Sequence, residues 1–309
     1  MQENRQPLVN VDNAVLQPLL LEELANRAIK ADILRLDKLH PIISGNKWFK
    51  LKYYLEEALQ TGHTNLLSFG GAWSNHIIAT AYAAHLSGLG SVGIIRGERP
   101  EKFSTTLQAA ISYGMQLEFM SRADYAMKAD PRFIHDLRKK YGNIYIIPEG
   151  GAGEKGVEGS REILSLAGQT AYSHVICCIG TGTMYAGLVL SCSGTQEVIG
   201  IPVLKGFQNQ ESKFVESFMP AKKRPNTTIF FDYHFGGYAK KTPELLRFMN
   251  DLYETTGIAT DFVYTGKLFY AFLDIVKKEY FPSGSHILMV HSGGLQGNSS
   301  LPAGTLLFS

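Results

Sequence analysis

Apolar and polar positions follow two different spacings along the chain. Short runs rich in Val, Ile and Leu fall at residues 33–36, 66–69, 92–96, 117–120, 144–147, 175–179, 198–203, 228–233 and 286–291. Each reads as a strand. Between them, apolar residues recur every three or four positions over 48–60, 75–86, 105–113, 156–166, 183–191, 243–256 and 267–278. That is the period of a helix with one buried face. Strands alternating with helices predict βαβ units, parallel sheets and an α/β fold.

Composition narrows the class. The chain has 309 residues, 45% hydrophobic and 19% charged, which suits one large core or two domains. A formal net charge of +2 is too mild to imply nucleic acid or an anionic membrane as partner. The basic clusters Arg138-Lys139-Lys140 and Lys222-Lys223-Arg224 read as solvated surface. No apolar stretch reaches the length of a membrane span, and the polar start MQENRQPLVN lacks the apolar core of a signal peptide. The cysteines Cys177, Cys178 and Cys192 show no C-x-x-C spacing, which fits a reducing compartment. A cytoplasmic location is expected. The nine histidines make no metal pattern such as H-E-x-x-H, so no metal is expected. His76 and His291 read as hydrogen-bonded structural histidines. No G-x-S-x-G elbow supports a serine hydrolase.

The stretch SGNKWFKLKYY, residues 44–54, places three lysines close together. Leu51, Tyr54, Leu55 and Ala58 form an apolar stripe at i, i+3, i+4 and i+7. Lys47 falls inside that stripe, in the first turn, behind a Gly-Asn pair able to start a helix. Lys50 and Lys52 fall on its margins, where long stems cover apolar surface and the ammonium stays wet. A lysine on the buried face loses charge stabilisation and its pKa falls, and the helix dipole pushes the same way. The resulting neutral amine suits Schiff-base chemistry.

Glycine, 31 residues, concentrates where strands end, and ligands of open α/β sheets bind at those ends. After residues 66–69 comes FGGAWSNH: two glycines turn the chain, and Ser74 or Asn75 can cap the next helix, whose free N–H groups attract an anion. After 175–179 comes GTGTMYAG, a Gly/Thr turn opening a helix, which reads as a phosphate cradle. A dinucleotide fingerprint, the mark of a nicotinamide-dependent oxidoreductase, needs Gly at position 185, where Tyr185 stands. A third loop, HSGG at 291–294, puts a hydroxyl and two glycines at a strand end.

In combination, SGNKWFKLKYYLEEAL, SFGGAWSNH, IPEGGAGEKGVEG, CIGTGTMYAGL, TDFVYTGKL and HSGG resemble the 1-aminocyclopropane-1-carboxylate (ACC) deaminase / D-cysteine desulfhydrase family. These are pyridoxal-phosphate enzymes of the tryptophan-synthase-β-like fold. The resemblance runs from about Leu16 to the last strand. It implies two open, twisted, mostly parallel sheet domains flanked by helices, with the cofactor between them. Residues 1–49 plus 148–309 would form the larger domain and 50–147 the smaller, in a homodimer. It implies that Lys47 carries the cofactor and acts as catalytic base. Asn75 would bond the ring oxygen, and Ser74 the substrate carboxylate. Gly180, Thr181, Gly182 and Thr183 would hold the phosphate, and Tyr238 and Tyr264 would be the active-site tyrosines.

Two positions bear on substrate. ACC deaminases carry Glu after VY in the VY-x-GK motif and Leu in H-x-GG; this chain has Thr265 and Ser292. D-Cysteine desulfhydrases carry hydroxyl residues at both. A carboxylate beside the pyridine nitrogen keeps it protonated, whereas a hydroxyl leaves it largely neutral. One of Thr265 and Ser292 is therefore expected at that nitrogen. The implied reaction is β-elimination from D-cysteine or a near relative, giving pyruvate, ammonia and sulfide. ACC deamination is the alternative, and a pyridoxal-phosphate-binding protein without catalytic role is a further one. Trp73, just before the Ser-Asn pair, is placed to narrow the substrate pocket.

Overall fold

The computed structural model describes residues 8–207, 217 and 226–308. The cluster Lys222-Lys223-Arg224 and the first seven residues lie outside the described residues. Among the described residues, ten strands build two sheets. The larger is ordered β1 (Val15–Pro18), β2 (Lys30–Arg35), β10 (His286–His291), β7 (His174–Ile179), β8 (Glu197–Pro202) and β9 (Asn226–Ile229). In it, β1 runs antiparallel to β2 and every other pair is parallel. The smaller is ordered β5 (Met115–Met120), β4 (Gly90–Arg96), β3 (Asn65–Gly70) and β6 (Ile144–Ile147), parallel throughout. The helices are α1 (Glu22–Ala25), α2 (Lys47–Gln60), α3 (Asn75–Leu86), α4 (Thr105–Ser112), α5 (Arg122–Ala126), α6 (Pro131–Tyr141), α7 (Glu154–Arg161), α8 (Thr183–Ser191), α9 (Pro243–Thr256) and α10 (Thr265–Lys277).

Helices cover both faces of the parallel strands, so the strands read as near-continuous apolar runs. In β7, His-Val-Ile-Cys-Cys-Ile, all six residues are buried. The three cysteines are free. Helix α2 joins the two halves of the molecule. Its Phe49, Leu51, Tyr54, Leu55 and Ala58 share one core with Leu66, Ala79 and Ile147 on one side and Val157, Val175 and Ala186 on the other. α7 packs on α2 so closely that a Cβ on Gly159 would lie 1.8 Å from the Phe49 carbonyl oxygen.

Three expectations need correction. The strand expected at 228–233 stops at Ile229, and residues 231–234 form a 3-10 turn. The buried Tyr233 donates its hydroxyl to Asp274 Oδ2 on α10 at 2.6 Å, which pulls the chain off the sheet edge. The helix expected at 156–166 begins at Glu154 and ends at Arg161, and the chain then tightens into a 3-10 segment ending before Gly168, at φ +68. Tightening seats Ile163 and Ala167 in the core. Lys50, expected wet at the stripe margin, is buried. Helix α2 is enclosed by α3, α7 and the 149–151 turn, so its buried face is wider than a single stripe. The exposed strand β1 and the helices α1, α5 and α6 escaped the sequence reading. For α6 the signal was present: Asp130 caps it, accepting from Arg132 N at 2.8 Å, and Pro131 opens it.

Gly159→Ala is expected to cost about 1–3 kcal/mol, because the new methyl meets backbone rather than a movable side chain. Gly62, at φ +71 with nothing within 4 Å, serves as the comparison; Gly62→Ala carries only the left-handed penalty of about 1 kcal/mol. Urea unfolding of both variants measures the difference, and a Gly159 variant as stable as wild type would contradict this packing.

Candidate active site

The carboxyl ends of β3, β7 and β10 and the starts of α2, α3 and α8 open onto one cleft of about 1250 Å³. Lys47, Ser74, Asn75, Gly180, Thr181, Gly182, Tyr238, Tyr264 and Ser292 all line it. Thr183 and Thr265 stand behind its wall, both fully buried.

Lys47 is held there by an interlock of two loops. Gly45, at φ +67, lies so close to the end of β10 that a Cβ on it would sit 1.9 Å from the Ser292 carbonyl oxygen. Asn46 N–H donates to that same oxygen at 3.1 Å. Asn46 precedes α2 but does not cap it with its side chain. Its Oδ1 instead accepts from Lys47 Nζ at 2.7 Å. Lys47 faces the cleft, yet protein surrounds it closely enough that burial lowers its pKa; Cys178 and Asp261 oppose that shift.

The expected phosphate cradle opens α8. Gly182 occupies the N-cap position at φ +83, with no side-chain cap over the helix start. The first N–H groups of a helix have no carbonyl partner within it, and the dipole favours an anion there. Thr181 and Thr183 hydroxyls lie 2.9 Å apart. Lys50 Nζ donates to Thr181 Oγ1 at 3.2 Å, so a cation stands beside the cradle. Burial, then the like charge of Lys47, pushes Lys50 from the ordinary 10.5 down to about 7. Lys50 was missed as a site residue, although its i+3 spacing from Lys47 put both on one helix face.

Ser74 caps α3, its hydroxyl accepting from Ile77 N–H at 3.3 Å. Asn75, next in line, has no hydrogen bond from its side-chain amide among the described residues, and its Oδ1 is buried. His76 lies under this helix start, with Nε2 2.9 Å from Ser68 Oγ. Burial, then the charges of Lys50 and Lys47, drives its pKa down to about 3, so the ring is neutral. His291 is likewise buried, with Nε2 2.9 Å from the Ala259 carbonyl and Nδ1 3.1 Å from Asp37.

Across the cleft, the Tyr264 ring centre is 5.9 Å from Lys47 Nζ and 6.1 Å from the Tyr238 ring, edge to face. Burial raises both phenols, so both are neutral donors. The turn before Tyr238 is clamped by Lys267, whose ammonium donates to the carbonyls of His234 at 2.9 Å and Gly237 at 2.8 Å.

Of the two hydroxyls expected at the pyridine nitrogen, Thr265 is spoken for. It donates to Asp261 Oδ1 at 2.8 Å and accepts from Asp261 N–H at 2.8 Å. Asp261 also accepts from the N–H groups of Val263, Tyr264 and Thr265, closing the start of α10. Ser292 lines the cleft, with its Oγ 3.2 Å from Cys178 Sγ. Burial pushes the Cys178 thiol up to about 11, so it is a neutral S–H.

A family model described as "Pyridoxal-phosphate dependent enzyme" matches residues 17–293, and the chain belongs to that family. Within it, the chain groups with lyases and deaminases named for ACC and D-cysteine. A Pyrococcus abyssi protein named "Putative 1-aminocyclopropane-1-carboxylate deaminase" is 30% identical over 270 residues, 82% of this chain and 81% of that one. A Klebsiella pneumoniae D-cysteine desulfhydrase is 27% identical over 272 residues, covering 82% and 83%. The crystal structure of an ACC deaminase homologue superposes with a TM-score of 0.79 at 26% identity, covering 93% of this chain and 90% of the other.

The residues fit the cofactor. A pKa-lowered amine, an open helix start flanked by a lysine, an unpaired amide and a cleft hydroxyl supply groups for its aldehyde, phosphate, ring oxygen and ring nitrogen. Lys50 ionises at about 7 when folded and near 10.5 when unfolded. Between those values the unfolded chain holds more protons, so stability rises with pH. Lys50→Met is expected to remove that rise in the cofactor-free protein, as read by urea unfolding at pH about 6, 8 and 10. An unchanged pH slope would contradict the buried charge.

Thr265→Val strands the buried Asp261 N–H and is expected to lose about 1–3 kcal/mol while leaving the cofactor absorption band in place. Ser292→Ala is expected to shift that band. The reverse pattern would return the ring-nitrogen role to Thr265.

Proposed function

We propose that this enzyme is a β-eliminating lyase of small amino acids, with D-cysteine or a near relative as substrate. The observation that carries this reading is the hydroxyl of Ser292 in the cleft, with no uncommitted carboxylate beside it among the described residues. Asp261 is saturated by three N–H groups and a hydroxyl. Glu149 pairs with Lys128 at 3.3 Å. A ring nitrogen facing a hydroxyl stays largely unprotonated, which suits elimination better than opening of a cyclopropane.

Bound pyridoxal phosphate supplies an electron sink for charge developing at the substrate Cα. The chain supplies the rest. Lys47 would hold the cofactor through its amine; Lys50, Thr181, Thr183 and the α8 start would hold its phosphate; Asn75 would donate to its ring oxygen. Ser74 and the α3 start bind the substrate carboxylate. Lys47 Nζ, whose pKa burial lowers, accepts the Cα proton. Tyr264 and Tyr238, both protonated, donate toward the departing β-substituent. For D-cysteine, the Cβ–S bond breaks with its electron pair leaving on sulfur, which is protonated to hydrogen sulfide. The remaining aminoacrylate takes up water to give pyruvate and ammonia.

The 30% identity to the protein named for ACC favours ring opening as a second reading. The reading also takes residues 50–147 as a smaller domain set in the larger one, a homodimeric assembly and a cytoplasmic location. These rest on family resemblance and cysteine usage.

The test is the visible absorption spectrum of purified protein before and after D-cysteine, followed by pyruvate assay. A yellow band that shifts with D-cysteine, with pyruvate formed, is the expected result. Turnover of ACC but not D-cysteine would reverse the order of the two readings. A band blind to every amino acid would leave a binding protein. Lys47→Ala is expected to stay folded and lose at least a thousandfold in turnover; substantial residual sulfide release would remove Lys47 from its role.

A further inference from the structure

The cleft carries a basic rim that the reaction above does not use. Arg96 ends β4, Arg122 opens α5 and Lys128 follows that helix, and all three line the cleft. Among the described residues, Glu149 is the one acid on the lining, and Lys128 holds it. Arg96 has no carboxylate and no hydrogen-bond acceptor among the described residues. Its contacts are with the face of the buried Tyr125 ring, 5.8 Å from the guanidinium carbon, and with Gly71, where a Cβ would lie 3.8 Å from Nη2. Stacking on an aromatic face orients a guanidinium without consuming its donors. Gly71 belongs to the turn that leads into Ser74, so the unpaired fork stands beside the carboxylate-binding helix start. Its charge also reaches the Tyr238 phenol, working against the burial that raises it.

Size points the same way. The cleft, about 1250 Å³, exceeds the roughly 300–1,000 Å³ of ordinary ligand pockets. The cofactor and a three-carbon neutral amino acid do not need that space.

We propose that Arg96 forms a second anion subsite, and that the preferred substrate is an amino acid bearing a further acidic group on or beyond its β-carbon. This rests on the lyase reading above and names its substrate class. Carboxylate, sulfonate and phosphate share the chemistry: each offers oxygens to a bidentate fork. Arg122 adds positive potential at the same rim.

The experiment uses the holoenzyme and reads binding from the cofactor's absorption band. Aspartate and asparagine, each as both enantiomers, differ only in distal charge and carry no β-leaving group. D-Cysteine is the positive control, and the sulfonate and phosphate counterparts of aspartate run as parallel arms to rank the three anions. Wild type is expected to bind the acid roughly tenfold more tightly than the amide, with the ratio shrinking as salt rises. Arg96→Gln is expected to bring that ratio near one, and Arg96→Lys to keep part of it. Equal binding of acid and amide by wild type would overturn the subsite, as would a ratio that survives in Arg96→Gln. If Arg96→Gln weakens acid and amide equally, Arg96 holds the α-carboxylate instead and the proposal falls. A band that answers D-cysteine but neither probe sinks the subsite and leaves the lyase reading intact. A band that answers no amino acid removes both.

Discussion

Everything at this site depends on one steric constraint: the backbone of Gly45 lies against the backbone of Ser292 and Gly293. A Cβ at Gly45 would sit 1.9 Å from the Ser292 carbonyl oxygen, and one at Gly293 would sit 2.9 Å from the Gly45 α-carbon. Only glycine permits that approach, and both residues use positive φ to achieve it. The contact fixes the start of α2 over the end of the central strand β10. It therefore fixes where Lys47 emerges, and sets Ser292 on the opposite side of the same interlock. A methyl group at either glycine would separate the amine from the hydroxyl before it touched any catalytic atom.

The second organising element is electrostatic. Lys47 and Lys50 lie one turn apart, both lowered by burial, and the charge of Lys47 pushes Lys50 further down. Neither has a carboxylate partner among the described residues. Without an anion, this pair is a standing cost to the fold. On the proposed reading, a dianionic phosphate at the α8 start would supply the missing counter-charge for Lys50. Stability would then be coupled to occupancy of the cleft.

Much of this was legible in the residues because parallel sheets enforce strong local patterns. Fully apolar strands such as β7, glycines at strand ends, the Ser74 cap of α3 and the Gly-Thr turn that opens α8 are local signals. Lys47 stood out for the same reason: a cation within an apolar stripe contradicts its surroundings. The failures came where tertiary contacts decide. Lys50 looked like a margin residue because one helical wheel cannot show that α2 is enclosed on several sides. Thr265 looked equivalent to Ser292 because sequence does not show that Asp261, four residues earlier, consumes its hydroxyl. Arg96 carries no motif at all; its standing comes from β4 lying beside β3, a pairing between segments about 25 residues apart.

That pairing has a geometric consequence. Gly70 is in register with Ile95, so the turn to Ser74 and the side chain of Arg96 leave the same edge of the same sheet on adjacent strands. Neighbouring strands are about 4.8 Å apart, and their ladder hydrogen bonds hold that spacing rigidly. Any movement of the four-stranded sheet relative to the six-stranded one carries both points together. On the proposed reading, the sheet would act as a caliper with fixed jaws, gauging ligand length by a distance that relative movement of the two sheets leaves unaltered.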